Sequence, residues 1–223
     1  MNETFAYNWS CMTACNEEIK MGTQSVERDR FTTCRRWDYS EVIVDRDLLR
    51  KRIQLIQAAA RIDPAVQWQE FSEDGVSVTQ WVERVPALGE PAGSRLLASL
   101  ELLAERLDFL AIGNVVHGDI KRANLVWDGL RWVLIDWEPV LVWHTTGGQT
   151  AFRVTRPYLH PDDFHRKTVS QYTDKTGFYF FARTMLNGWQ KITSTELRSV
   201  HNEAKGRSFT DILRKASMVA DSR

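Results

Sequence analysis

Three oxygen-bearing side chains stand out by their spacing: Asp119, Asn124 five residues on, and Asp136 twelve beyond that. They lie in Val115-Val116-His117-Gly118-Asp119-Ile120-Lys121-Arg122-Ala123-Asn124-Leu125-Val126 and Val133-Leu134-Ile135-Asp136-Trp137-Glu138. Two short apolar runs, NLVW and WVLID, flank Asp128-Gly129, a turn-forming pair that reads as a hairpin. Such a hairpin returns Asp136 to the side of Asn124, so carboxylate and amide oxygens from two adjoining segments converge. Hard oxygens of this kind suit Mg2+, which takes one or two protein carboxylates and leaves positions for substrate phosphates. Lys121, two residues past Asp119, brings a positive charge to the same place.

The elements that must position these groups are readable on both sides. Upstream, SRLLASLELLAERLDFLAIG carries Leu96, Leu97, Leu100, Leu103 and Leu107 as an apolar helical stripe that stops at Gly113. Before it, Pro86 to Pro91 reads as a connector with Gly89 and Gly93 nearby. The first part of the chain reads as strands in FAYNWSCMT, RFTTCRRW and EVIV, followed by a helix over Asp47–Ile62. In that helix Leu48, Leu49, Ile53, Ile56 and Ala60 recur at helical spacing, and Asp63-Pro64 closes it. VQWQEF and VSVTQWVE, separated by Glu73-Asp74-Gly75, predict a second hairpin. Downstream, after a loop of about 25 residues, TGFYFFARTML reads as a buried helix, and FTDILRKASMVA as an amphipathic one opening after Ser208. The expected organisation is α+β: a small β-rich lobe with one helix over 1–85, a connector over 86–93 and a mainly helical lobe over 94–223.

Composition narrows the partners. The 223 residues are 43% hydrophobic and 26% charged, the balance of a globular domain long enough to bury a core. Lys plus Arg equals Asp plus Glu at 29 each, so no global field draws the chain to nucleic acid or membrane. The local basic runs, Arg35-Arg36 and Arg50-Lys51-Arg52, read as solvated surface. Cys11, Cys15 and Cys34 lack zinc-site pairing and read as thiols in a reducing compartment. No basic start precedes an apolar stretch, and no apolar run approaches the ~20 residues of a membrane span, so a cytoplasmic location is expected.

The central motif resembles the catalytic loop of protein kinases and their relatives, H-x-D-x-x-x-x-N followed by the metal-binding D-F-G. The resemblance implies a two-lobed protein-kinase-like fold and the cofactors ATP and Mg2+. It makes Asp119 the group that orients the acceptor hydroxyl, and Asn124 and Asp136 the ligands holding Mg2+ against the nucleotide phosphates. Lys121 would neutralise the transferring phosphoryl group, and His117 would brace the loop backbone. Thr155-Arg156-Pro157-Tyr158-Leu159-His160-Pro161-Asp162 is similar to the end of an activation segment, T-x-x-Y-x-A-P-E. Thr155 would then pack against Asp119 and Lys121, and Asp162 would pair with a late arginine such as Arg214. Thr173-Asp174-Lys175-Thr176-Gly177 resembles the helix opening S-D-x-W-S-x-G, whose Asp caps its helix and hydrogen-bonds the catalytic-loop backbone. The likeness extends over about residues 80 to 190.

The chain departs from that pattern in three places. The G-x-G-x-x-G loop is missing, Gly22 being the one glycine before Gly75, and there is no V-A-I-K lysine. The basic residue anchoring the phosphates is then one of Lys20, Arg35, Arg36 or Arg46. The helix over Asp47–Ile62 has no glutamate, Asp45 and Asp47 being the nearest acids. Asp136-Trp137-Glu138 replaces D-F-G, so Glu138 either supplements metal binding or faces water. Gly118 replaces the usual arginine, which favours constitutive activity or control by a partner protein over loop phosphorylation. The implied function is that of a small, divergent serine/threonine protein kinase, bacterial or phage in type, acting on a protein substrate. A small-molecule kinase of the aminoglycoside/choline type and a pseudokinase acting as a binding or regulatory module stand as alternatives.

Overall fold

The computed structural model describes residues 25–28, 32–38, 46–74, 77–137, 158–166 and 169–221. Strands β1 (Ser25–Arg28), β2 (Thr32–Asp38), β3 (Gln69–Glu73) and β4 (Ser77–Glu83) form one antiparallel sheet in the order β1-β2-β4-β3. β2 runs against β4 from Thr32↔Glu83 to Asp38↔Ser77, and β3 against β4 from Gln69↔Val82 to Glu73↔Val78. The expected strand in RFTTCRRW is β2; FAYNWSCMT and EVIV lie outside the described residues. The class is thus α+β, with two small antiparallel sheets and seven intervening or following helical segments among the described residues.

Helix α1 (Arg46–Ile62) enters between β2 and β3. It buries Leu49, Ile53, Ile56 and Ala59, a stripe at helical spacing, and it ends where Pro64 disfavours helical backbone before it. Buried Asp63 fixes that end: one carboxylate oxygen accepts from Ala65 N–H and from Arg106, both at 2.8 Å. The Arg106 that answers it sits on α2 (Gly93–Ile112), whose buried face includes Leu96, Leu100, Leu103 and Leu107. Leu97, expected on that stripe, is exposed. The left-handed residue at the helix end is Asn114 (φ 56°), not Gly113 (φ −74°), and Val115 N–H closes the turn onto Leu110 at 2.9 Å.

The second sheet is the expected hairpin, β5 (Leu125–Trp127) and β6 (Trp132–Leu134). Asp128 shapes its turn by accepting from Leu130 and Arg131 N–H, each at 2.9 Å. β6 has a second neighbour: Leu134 N–H donates to Ala65 at 2.6 Å and Gln67 N–H to Leu134 at 3.0 Å.

Four helices follow: α3 (Pro161–Arg166), α4 (Gln171–Asn187), α5 (Ser194–Ala204) and α6 (Phe209–Asp221). α4 is buried from Thr173 to Arg183. Asp108 of α2 caps α6, accepting from Phe209 N–H at 2.6 Å and Thr210 N–H at 3.1 Å. Arg183, 3% exposed, meets both carboxylate oxygens of Glu196 at 2.6 Å and ties α4 to α5. The larger apolar cluster joins α2, the hairpin, α4 and α6 with Ile56, Ala59 and Val66; a smaller one, Leu49, Ile53 and Val78, lies between α1 and the sheet. Among the described residues no helix is long and apolar enough to cross a membrane.

Candidate active site

The loop from Val115 to Lys121 is built onto helix α4. Buried Asp174 accepts from the N–H groups of His117 and Gly118, both at 2.7 Å. It is free to do so because it does not cap α4, as the resemblance implied; Ser170 is the N-cap and accepts from Tyr172 N–H at 3.1 Å. One turn further along, Gly177 lets the two backbones touch: a β-carbon there would stand 2.1 Å from the Ile120 oxygen. Gly118 has φ 94°, a conformation that an arginine at this position would adopt only under strain.

Inside the loop, His117 acts as a strut. Its Nδ1 accepts from Asp119 N–H at 3.2 Å, which makes Nε2 the donor to the Ile135 carbonyl at 2.8 Å. Burial pulls the imidazole down to about 4, so it stands neutral at pH 7. Asn124 ends a single 3-10 turn, Arg122–Asn124, and its amide nitrogen donates to the Asp119 carbonyl at 2.9 Å and to the Asp119 carboxylate at 3.2 Å. The Asn124 carbonyl accepts from Ile135 N–H at 3.0 Å. Asp119, Asn124 and the residue preceding Asp136 are therefore joined by direct bonds. Lys121 Nζ lies 2.5 Å from Asp119, with side chains 33% and 14% exposed. The site thus has an acid and an ammonium group that keep some exposure, backed by a buried amide, Asn124.

Asp136 itself has φ 65°, a left-handed conformation that costs a non-glycine residue about 1–2 kcal/mol. Its neighbour Trp137 is held from several directions. The indole donates to Leu134 O at 2.9 Å, and the ring meets His117 edge-on at 4.7 Å. The Trp137 carbonyl accepts from Gln80 of β4 at 3.2 Å, and the guanidinium of Arg52 on α1 lies 5.7 Å from its ring centre. Gln80 also bonds buried Gln69 of β3.

Charge at Asp174 is finely balanced. Burial pushes its carboxyl up to about 7, against the two N–H donors and the nearby charge of Arg52. Burial likewise raises Tyr158, with Arg183 opposing and Asp119 adding to the shift, so Tyr158 stands within reach of the Asp119 charge. Its ring stacks on Phe180 of α4 at 5.4 Å.

The structure brings together His117, Asp119, Lys121, Asn124, Asp136 and Asp174. Glu138 and Thr155 lie outside the described residues, as do Lys20 and Asp45. Arg35 lies opposite Gln80 in the β2–β4 ladder. Arg36 is exposed and paired with Asp74 at 2.8 Å, while half-buried Arg46 turns Nη1 inward with no hydrogen bond. Asp162 pairs with Lys205 at 2.7 Å, not with Arg214, which bonds Asp211 at 3.0 Å on its own helix; α3 meets the end of α5 and not the middle of α6. Asp47 is spent on Arg50 within α1 at 3.6 Å.

Arg52, Gln80, Trp137 and Tyr158 are site neighbours that sequence reasoning missed. For Arg52 there was a signal: it falls within the buried stripe of α1, three residues after Leu49 and four before Ile56. The expectation that Arg50-Lys51-Arg52 is all solvated surface is corrected accordingly, since Arg50 and Lys51 are exposed and Arg52 is half-buried.

Among the described residues no three His, Cys, Asp or Glu side chains gather as a metal cluster. The donor set that could take a cation is smaller. Asn124 Oδ1 is left over once the amide nitrogen is engaged, and the Asp136 carboxylate sits on the adjoining segment. Amide and carboxylate oxygens are of the hard kind that Mg2+ takes, in sites that leave its remaining positions to water and phosphate. No protein-family model matches the chain, and no curated protein matches it.

Proposed function

We propose that the chain is an ATP- and Mg2+-dependent phosphotransferase of two-lobed, kinase-like build, transferring the γ-phosphoryl group to a serine or threonine hydroxyl of a protein. The observation that carries the reading is Asn124, whose side chain bonds Asp119 and whose carbonyl bonds Ile135, next to Asp136. That one residue links the loop carrying Asp119 to the strand end that leads into Asp136.

In this reading Asp119 would accept the proton of the acceptor hydroxyl as its oxygen attacks phosphorus and the bond to the ADP oxygen breaks. Lys121, beside it and one-third exposed, can swing its charge from Asp119 to the phosphoryl oxygens. Asn124 and Asp136 would hold Mg2+, which when bound neutralises phosphate charge. His117 holds no mobile proton at pH 7 and fixes the loop to the hairpin. Positioning and charge neutralisation supply most of the rate in this chemistry.

The test is transfer of 32P from ATP to protein by the wild-type chain, Asp119→Ala and Asp136→Ala. Both variants should lose at least about 100-fold in rate while melting within a few degrees of wild type. Full activity in both ends this reading, and transfer to sugars or alcohols alone reassigns the chain to small-molecule kinases. The missing glycine-rich loop and lysine–glutamate pair favour a second reading, a nucleotide-binding or regulatory module without catalysis. It predicts a thermal shift with Mg·ATP and no ADP release.

A further inference from the structure

A guanidinium in the apolar stripe of a helix is costly to bury, and leucine or methionine would serve packing better. Arg52 nevertheless takes that position on α1, between Leu49 and Ile56. What it reaches is the site. Its guanidinium lies over the Trp137 ring, and Nη2 donates to the His117 carbonyl at 3.5 Å, the longest bond of the set. Its charge is felt by the His117 imidazole and the Asp174 carboxylate. Trp137 is 1% exposed and directly follows Asp136, whose left-handed backbone persists only if its neighbours hold it there. Gln80 grips the Trp137 carbonyl from β4, His117 meets its ring from the loop, and Arg52 reaches it from α1.

We propose that Arg52 is a positioning residue for phosphoryl transfer: by lying on Trp137 and bonding the His117 carbonyl, it holds Asp136 against Asn124 and makes competence depend on the seating of α1. The proposal rests on the phosphotransferase reading above. It also supplies a role for a helix that carries no glutamate. Arginine suits this task better than lysine, because its planar head stacks on an indole while its N–H groups still point outward to a carbonyl. A shift of α1 away from the loop would withdraw the contact and let the Asp136 turn relax.

The test compares Arg52→Met and Arg52→Lys with wild type in the full chain, reading kcat, the KM for the protein acceptor, the half-saturating Mg2+ concentration and the melting temperature. Methionine suits the apolar stripe, so Arg52→Met should melt at or above the wild-type temperature. Its kcat should fall about 10- to 100-fold, as for a misplaced reacting group, with Mg2+ half-saturation raised several-fold and acceptor KM unchanged. Arg52→Lys, with the charge but not the plane, should fall between. With 5-fluorotryptophan incorporated, the Trp137 resonance, assigned through Trp137→Phe, should move in Arg52→Met. Wild-type kcat and Mg2+ response in Arg52→Met overturn the proposal while leaving the phosphotransferase reading intact. A fall in melting temperature and rate with no change in Mg2+ response overturns it too, as the mark of a merely structural role. A wild-type chain that transfers no phosphate overturns both together.

Discussion

Gly177 lies so close to the Ile120 carbonyl that a β-carbon at 177 would stand 2.1 Å from its oxygen. Ile120 is flanked by Asp119 and Lys121, so the height of the whole loop above α4 is set by the absence of one methyl group. Asp174, one turn earlier on the same helix, fixes the loop laterally through two N–H bonds. Helix α4 therefore acts on the position of the acid through the loop backbone.

Gly177→Ala should force α4 and the loop apart, because backbone, unlike a flexible side chain, cannot step aside. Overpacking of this kind costs roughly 3 kcal/mol, which for a chain of this length lowers the melting temperature by about 10 °C. Calorimetry of the variant checks this, and an unchanged melt would show that the two backbones have room for a methyl group.

Asp136→Gly and Asp136→Ala should separate strain from chemistry. Both remove the carboxylate and, on the proposed function, should abolish phosphoryl transfer. Glycine tolerates the left-handed backbone of this position, whereas alanine retains the penalty of about 1 kcal/mol or more. The glycine variant should therefore be the more stable of the two by that amount in urea unfolding.

Four buried groups act on the acid side of the stability profile, and one of them, His160, is held below the ordinary histidine value by burial. His117 and His201 are both pulled down to about 4 by burial, below the ordinary 6.5. Their contribution is full above pH 6.5 and is lost as pH falls toward 4, where the unfolded chain binds their protons first. Asp174, raised from 3.8 to about 7, acts in the opposite sense: its contribution is full below 3.8 and is lost as pH rises through 7. Three histidines against one carboxyl predict a net gain in stability from pH 4 to 6.5. Urea midpoints across that window should show it, and His201→Gln should flatten the slope while Asp174→Asn steepens it.

Arg183→Met should cost about 3 kcal/mol, since it leaves the partly exposed Glu196 carboxylate with the Tyr179 hydroxyl as its remaining donor. Adding Glu196→Met should recover most of that loss, as the two apolar chains pack where the ion pair stood. A double-mutant cycle by chemical denaturation measures the coupling, and additive losses would argue that Glu196 finds another partner.

What was legible in the sequence is what depends on neighbours along the chain. The Asp128-Gly129 hairpin, α1 within one residue of its expected start, and α6 opening after Ser208 all follow from local turn chemistry and spacing. β1 was not read, because Ser25–Arg28 is four residues long and alternates no apolar face. α3 and α5 escaped for similar reasons, being short or sparsely apolar. The site's supporting partners were harder still. Arg50, Lys51 and Arg52 look uniform as a string, yet a helix turns them ~100° apart in succession and only the third faces the loop. Gln80 reaches Trp137, and Lys205 reaches Asp162, only once distant segments have packed, and no spacing rule encodes that.

The backbone pairing of β6 with Ala65 and Gln67 bears on how this protein can be cut. A fragment starting at the connector would strip one flank of β6, leaving the N–H and C=O of Leu134 bare beside the strand that leads into Asp136. An uncovered strand edge recruits whatever extended chain it meets, including copies of itself. Fragments of the helical half should clump unless a peptide spanning 65–67 is supplied, so the segment after α1 serves as a built-in cover for the hairpin.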